Sequence, residues 1–295
     1  MSEIRTMENE RLLVAVSDHG AELCRIYDKK NRREVLWNAD PAFWNRHAPI
    51  LFPFVGKVRG GCYRHEGRTY EMKTQHGFAR DMDFSCVSAG PDAVVHCLCP
   101  DEHTQSIYPF AFELRTECRL EGNVLKLCWT VCNRGDQKMY FSLGGHPAFR
   151  VPALAGTRRS DYFLTFDGQD ELTYIQIDDQ ESLAFPDKKY RLALREGRCS
   201  IDDHMFDNDA LIFEDGQVKQ VGIALPDGTP YVTMRCEDFP FMGIWSKPDA
   251  PFVCLEPWVG RTDDAGFTGE LKEKAGEYAL EAKGEASFVH EIEIY

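Results

Sequence analysis

No run in this 295-residue sequence approaches the roughly 18 to 20 uninterrupted apolar residues of a membrane-spanning helix. The opening "MSEIRTMENERLL" lacks the basic start and apolar stretch of a secretory signal, so the cytoplasm is the expected location and no membrane partner is expected. Basic residues are also in deficit. Against 48 acidic side chains stand 34 lysines and arginines, and the net charge of −14 counts against a broad surface for tracking nucleic-acid phosphates or anionic lipid.

Several motifs are missing too. "GKVRGG" lacks the Gly-Lys-Ser/Thr ending of a phosphate loop and no G-x-G-x-x-G follows a strand, so no nucleotide cofactor is indicated. There is no G-x-S-x-G elbow and no HExxH helix, which removes the commonest signs of a serine hydrolase or a zinc protease. Linkers, low-complexity tracts and repeats of 20 to 50 residues are likewise absent, so residues 1–295 read as one domain.

Cysteine is plentiful, with eleven residues, but the odd count and the missing export signal disfavour a complete disulfide framework. In "HCLCPDEH", His96, Cys97, Cys99 and His103 suggest a zinc cluster, yet their spacing is not that of a common zinc motif. Cys97 and Cys99 are two apart, as expected of thiols on one strand face, and no metal is assigned here.

What is present is ordinary globular composition, 43% hydrophobic and 28% charged, arranged as short strands broken by turns with few stretches of helical period. "NVLKLCWTV" puts Leu125, Leu127, Trp129 and Val131 on one face and follows "FELRTECRL" across a Glu121-Gly122-Asn123 turn, predicting a hairpin. "YFLTFD", "TYIQID" and the terminal "SFVHEIEIY" are strand-like, and "LPDGTPYVTMRC" sets a Pro-Asp-Gly turn before another strand. So many half-buried strands predict an all-β, antiparallel protein of two large sheets packed face to face.

Turn chemistry assigns Gly144, Gly145 and Pro147 of "FSLGGHPAF" to special backbone angles, but it leaves His146 unexplained. Further candidates are His76 in "QHGFARDMDF", Asp207 in "FDNDALIF" and Glu256 in "CLEPWVG". Each has a plainer reading: His76 as a turn residue, Asp207 as a solvated loop residue, and Glu256 as a buried carboxylate tied to backbone or arginine. Glu256 stands where an apolar strand meets a proline and an aromatic ring, so its carboxylate loses hydration and needs a partner.

"GAELCRIYDK", "ILFPFVGKVRGGCY", "QHGFARD", "FSLGGHPAF" and "CLEPWVGRTD", in this order over nearly the whole chain, resemble the aldose 1-epimerases, or galactose mutarotase-like proteins, and especially their LacX-like bacterial branch. The resemblance implies a β-supersandwich without cofactor, with an open groove across one sheet that binds a free hexose. The family interconverts α and β anomers by opening and closing the pyranose ring, so one group must take the O1 proton while another delivers a proton to the ring oxygen. By that resemblance Glu256 is the general base, His146 the general acid and His76 a second imidazole near the ring oxygen. An unperturbed glutamate, pKa about 4.3, would be ionised, and imidazole, about 6.5, would exchange a proton near neutrality.

Lys57 in "VGKVRGG" and Asp207 match sugar-contacting positions, with Lys57 standing where typical mutarotases have arginine. Trp245, Trp44, Phe241 and Trp258 offer rings to the sugar's C–H face, against the plainer reading of core packing. "HGFAR" is also similar to the hexose-6-phosphate 1-epimerase branch, in which Arg80, with Arg59, would grip phosphate; surface ion pairs are the preferred account of such arginines here. A non-catalytic carbohydrate-binding or sensing protein on the same fold is a further alternative. Glycoside hydrolysis, which needs two carboxylates flanking the bond, is disfavoured by a set of one carboxylate and two histidines.

Overall fold

The computed structural model describes residues 3–178 and 181–295. Its strands form two large antiparallel sheets and three small ones. The nine-stranded sheet has the Phe112–Glu121 and Val124–Asn133 hairpin near one end and Glu285–Ile294 beside it. That hairpin pairs Glu121 with Val124, closing on Gly122 and Asn123 as the sequence predicts. Leu125, Leu127, Trp129 and Val131 are all buried, so the expected alternation holds.

The second large sheet, of eight strands, carries the site. Phe252–Val259 lies between Phe241–Trp245 on one side and the short strands Leu143–Gly145 and Ala148–Arg150 on the other. Every residue of Phe252–Val259 is buried. Burial on both faces accounts for its nearly continuous apolar sequence, and period-two alternation sorts the two sets. Val253, Leu255 and Val259 join the main core between the large sheets, whereas Phe252, Cys254 and Trp258 belong to smaller clusters on the opposite face. Glu256 falls in the second set, between Cys254 and Trp258.

The described residues hold one short α-helix, Glu102–Ile107, and four 3-10 turns, in keeping with the few helical stretches expected. No helix is long and apolar enough to cross a membrane.

Two local readings change. Gly144 and Gly145 are not turn glycines: they lie within Leu143–Gly145, and neither has positive φ. A Cβ on Gly144 would stand 2.4 Å from Trp258 Cδ1, and one on Gly145 would stand 2.7 Å from Trp129 Cη2. Close approach of two tryptophans, rather than backbone angle, requires glycine there. In the "HCLCPDEH" segment, the Cys97 and Cys99 sulfurs are 3.9 Å apart, as the shared strand face predicts, while His96 Nε2 bonds to Asp18.

Candidate functional site

A cavity of about 410 Å³ opens on the Glu256 face of the eight-stranded sheet. Three segments distant in sequence supply its polar floor: Glu256 from Phe252–Val259, His146 from just after Leu143–Gly145, and His76 from the loop that crosses Gly56. His146 Nε2 stands 3.3 Å from Glu256 Oε2. The approach is too poorly aligned to count as a hydrogen bond, and both Oε2 and His146 Nδ1 lack a partner among the described residues. Glu256 is 1% exposed and His146 7%.

His76 is held by a reciprocal pair of bonds. Its backbone N–H donates to Gly56 O at 2.7 Å, and the Gly56 N–H donates to His76 Nδ1 at 3.0 Å. Because Nδ1 accepts, the neutral ring must carry its proton on Nε2. Gly56 is required, since a Cβ would stand 2.3 Å from Thr262 Cβ, and Thr262 Oγ1 accepts from the Lys57 N–H at 3.0 Å to fix the loop. His76 and Gly77 both adopt positive φ, the second with Phe52 O only 2.3 Å from where a Cβ would lie. The glycine after the histidine is therefore a packing and conformational necessity.

Burial governs the protons of the floor. It pushes the Glu256 carboxyl well above its ordinary range, helped by the charge of Asp209. The Trp258 indole works weakly in the opposite direction, although its nitrogen makes no aligned hydrogen bond. His146 is pushed down to about 3 by burial and then by the positive charge of Arg80. His76 falls well below its ordinary value for the same two reasons, with His146 adding to them. The expectation of an ionised glutamate beside a readily protonated imidazole is thus opposed at both groups by burial, because a charge on either loses its hydration.

Aromatic rings form one wall. The Trp44 and Trp245 ring centroids lie 4.7 and 5.5 Å from that of His146, and Trp258 also faces the cavity. Phe241 does not reach it and packs beside the Trp258 cluster. Arg80 lines the cavity with its Nε buried and unpartnered, 3.8 Å from Asp81 Oδ2. Burial, and next the charge of Arg46, lowers the Arg80 guanidinium to about 10.

Two expected sugar contacts fall elsewhere. Asp207 is half exposed, accepts from His204 Nδ1 at 2.9 Å and does not line the cavity. The carboxylate that does is Asp209, two residues on, where the loop meets the strand Leu211–Phe213. Burial raises the Asp209 carboxyl while the charge of Lys57 opposes that rise. Lys57 itself lies outside the lining, its backbone tied to Thr262, and it acts on Asp209 through its charge. Arg59 turns away, donating to Asp263 and Phe267. Arg46 and Lys247, unmarked by the sequence reading, line the cavity instead.

The architecture is that of a galactose mutarotase-like β-sandwich. A galactose mutarotase-related enzyme from Lactobacillus acidophilus superposes with a TM-score of 0.92 at 32% identity, over 99% of this chain and 97% of its own. A galactose mutarotase-like protein from Lactobacillus casei gives 0.90 at 30%, over 99% and 100%. The chromosomal LacX protein of Lactococcus lactis subsp. lactis is 30% identical over 262 residues, which is 86% of this chain and 87% of that protein. The aldose 1-epimerase family model matches residues 3–271. The chain belongs to the aldose 1-epimerase family.

Proposed function

We propose that the protein is a cofactor-independent aldose 1-epimerase that interconverts the α and β anomers of a free hexose. The observation that carries this reading is the contact at the cavity floor, His146 Nε2 at 3.3 Å from Glu256 Oε2, with the carboxylate oxygen unpartnered. In a pyranose, O1 and the ring oxygen are both bonded to C1. An acid and a base for those two atoms must therefore stand side by side, as these groups do.

A neutral carboxyl next to a neutral imidazole holds the same number of protons as a carboxylate next to an imidazolium. Transfer within the pair as a sugar enters gives Glu256 a free lone pair for the O1 proton and His146 a proton for the ring oxygen. C1–O5 cleavage then leaves an aldehyde at C1 and a hydroxyl at C5. Rotation about C1–C2 and reversal of both transfers regenerate either anomer and restore the pair. His76 steers the ring oxygen with a hydrogen bond from its Nε2–H, which it keeps, and Asp209 accepts from a sugar hydroxyl in the role expected of Asp207. Trp245 and Trp44 cover a C–H face of the ring. Residues 1–295 act as one domain, and no nucleic acid or membrane enters this scheme.

Arg80 supports a second reading, a hexose-6-phosphate substrate, because its buried Nε makes no hydrogen bond among the described residues and Arg46 stands beside it. The sequence pairing of Arg80 with Arg59 does not form, so Arg46 would take the second place. Anomer exchange followed by NMR across free and 6-phosphorylated aldoses decides between these readings. Acceleration of free hexoses supports the first and acceleration of phosphorylated ones alone supports the second. No acceleration with any aldose leaves a sugar-binding protein.

A further inference from the structure

Cys254 shares a strand face with Glu256, and His146 stands against both. An imidazole nitrogen, the thiol sulfur and a carboxylate oxygen lie within 4.8 Å of one another, and all three residues are buried. Glu256 Oε2 and His146 Nδ1 make no hydrogen bond, and Glu256 is 1% exposed. Buried polar atoms are rarely left without partners, so the unpartnered Glu256 oxygen calls for an account of what satisfies it. The other close grouping, Asp18, Cys86 and His96, lacks this property. Both carboxylate oxygens of Asp18 already accept from Arg5, and one also contacts His96 Nε2.

We propose that Glu256, His146 and Cys254 form a binding site for a zinc-class divalent ion, which switches off the cavity by occupying its acid and base. The inhibition rests on the epimerase reading given above; the binding does not. Nitrogen, sulfur and oxygen donors suit a borderline-soft ion, with bonds of about 2.0 to 2.3 Å in a tetrahedron whose fourth position is open. Donors within 4.8 Å of one another reach such an ion after small side-chain movements. Water from the cavity completes the set. As the metal–sulfur and metal–oxygen bonds form, the Cys254 thiol proton and the Glu256 carboxyl proton both leave to solvent. The carboxylate lone pair that would take the O1 proton is then spent on the ion. Magnesium and calcium, which take oxygen donors, gain nothing from the thiolate.

Cobalt(II) is the probe, because a thiolate ligand gives it an intense charge-transfer absorption. The exposed pair is first removed by Cys97→Ser and Cys99→Ser. In that background one cobalt per chain should produce the band, zinc should displace it, and magnesium should not. Cys254→Ala should abolish the band and weaken zinc binding by at least the about 10- to 100-fold typical of losing an outer-shell partner. Cys254→Ser, closer in size, serves if the alanine variant fails to fold. A missing band, or one indifferent to both substitutions, overturns the site. With an aldose that is turned over, zinc should slow anomer exchange, a chelator should restore it, and Cys254→Ala should resist the metal; unchanged sensitivity in that variant overturns the switch. If no aldose is turned over, the epimerase reading falls while the cobalt band still decides the site.

Discussion

Glu256 and His146 share a medium that disfavours charge on either, so their proton count, more than the acid strength of each alone, sets the working state. With the Glu256 carboxyl raised and the His146 imidazole lowered to about 3, the pair keeps its one mobile proton through the acidic range and loses it only as pH climbs through the raised carboxyl value. The kcat/KM for anomer exchange should therefore be flat across about pH 4 to 5, where an ordinary glutamate base would switch on, and should decline on the alkaline side. A rise through that interval, with the fold intact by circular dichroism, would show an ionised base instead. On the proposed scheme Glu256→Gln keeps the shape and removes the proton acceptor, and His146→Ala removes the donor; each should cost about 10²- to 10⁴-fold in exchange rate, with a smaller loss for His76→Ala. Asp209→Asn should impair exchange while Asp207→Asn leaves it unchanged, because only the first side chain reaches the cavity. Glu256, His146 and His76 stand out as candidates in their short runs and take roles only from the family resemblance, and the structure brings all three to one cavity. The sequence reading misplaced the aspartate by two residues because "DDHMFDND" offers several carboxylates and only the turn geometry selects among them. Arg46 escaped notice altogether, since nothing near it in the chain marks a long side chain that folds back over a distant loop.

Strand alternation was the most readable layer. The 112–133 hairpin and the terminal strand follow directly from the period of two, because each has one buried face and local sequence suffices. Phe252–Val259 hides its two faces behind uniform hydrophobicity, and only the packed neighbours reveal that Cys254, Glu256 and Trp258 share the cavity side. The neighbouring glycines were misread for a related reason. Trp258 lies against Gly144 on one flank and Gly243 on the other, where added Cβ atoms would stand 2.4 and 2.3 Å from its ring. More than a hundred residues separate Gly144 from Trp258, and a contact of that range leaves no local signature. Gly144→Ala should cost about 1 to 3 kcal/mol through overpacking, seen as a lower urea midpoint at unchanged slope. Because Trp258 lines the cavity, the same variant should also raise KM for the sugar. A wild-type midpoint would mean that the indole can move aside without loss.

At the scale of the molecule, the packed sheets bury titratable groups almost completely, and pH reports on the whole packing. His290 lies between the sheets, 2% exposed, with ring centroids of Trp129 and Phe239 at 4.6 and 5.7 Å and no partner for Nδ1. Burial alone pushes it down to about 3. Glu277, buried beneath Ser142, is pushed up to about 7 by burial despite the nearby Lys274. The two oppose each other. An unfolded chain protonates its histidine near 6.5 while the folded one resists to about 3, so the His290 contribution is intact above 6.5 and lost as pH falls. The folded chain holds the Glu277 proton longer than the unfolded one, so that contribution is present below the ordinary carboxylate value and fades as pH rises toward 7. Wild-type stability mixes these slopes, and a difference between variants separates them. His290→Leu removes one proton from the unfolded-state uptake, so its unfolding free energy should lose up to about 1.4 kcal/mol less per pH unit than wild type on acidification below 6.5. Urea unfolding at several pH values measures the difference directly. Parallel curves for the two proteins would mean that His290 takes up its proton inside the fold, and that the core between the sheets is wetter than its packing indicates.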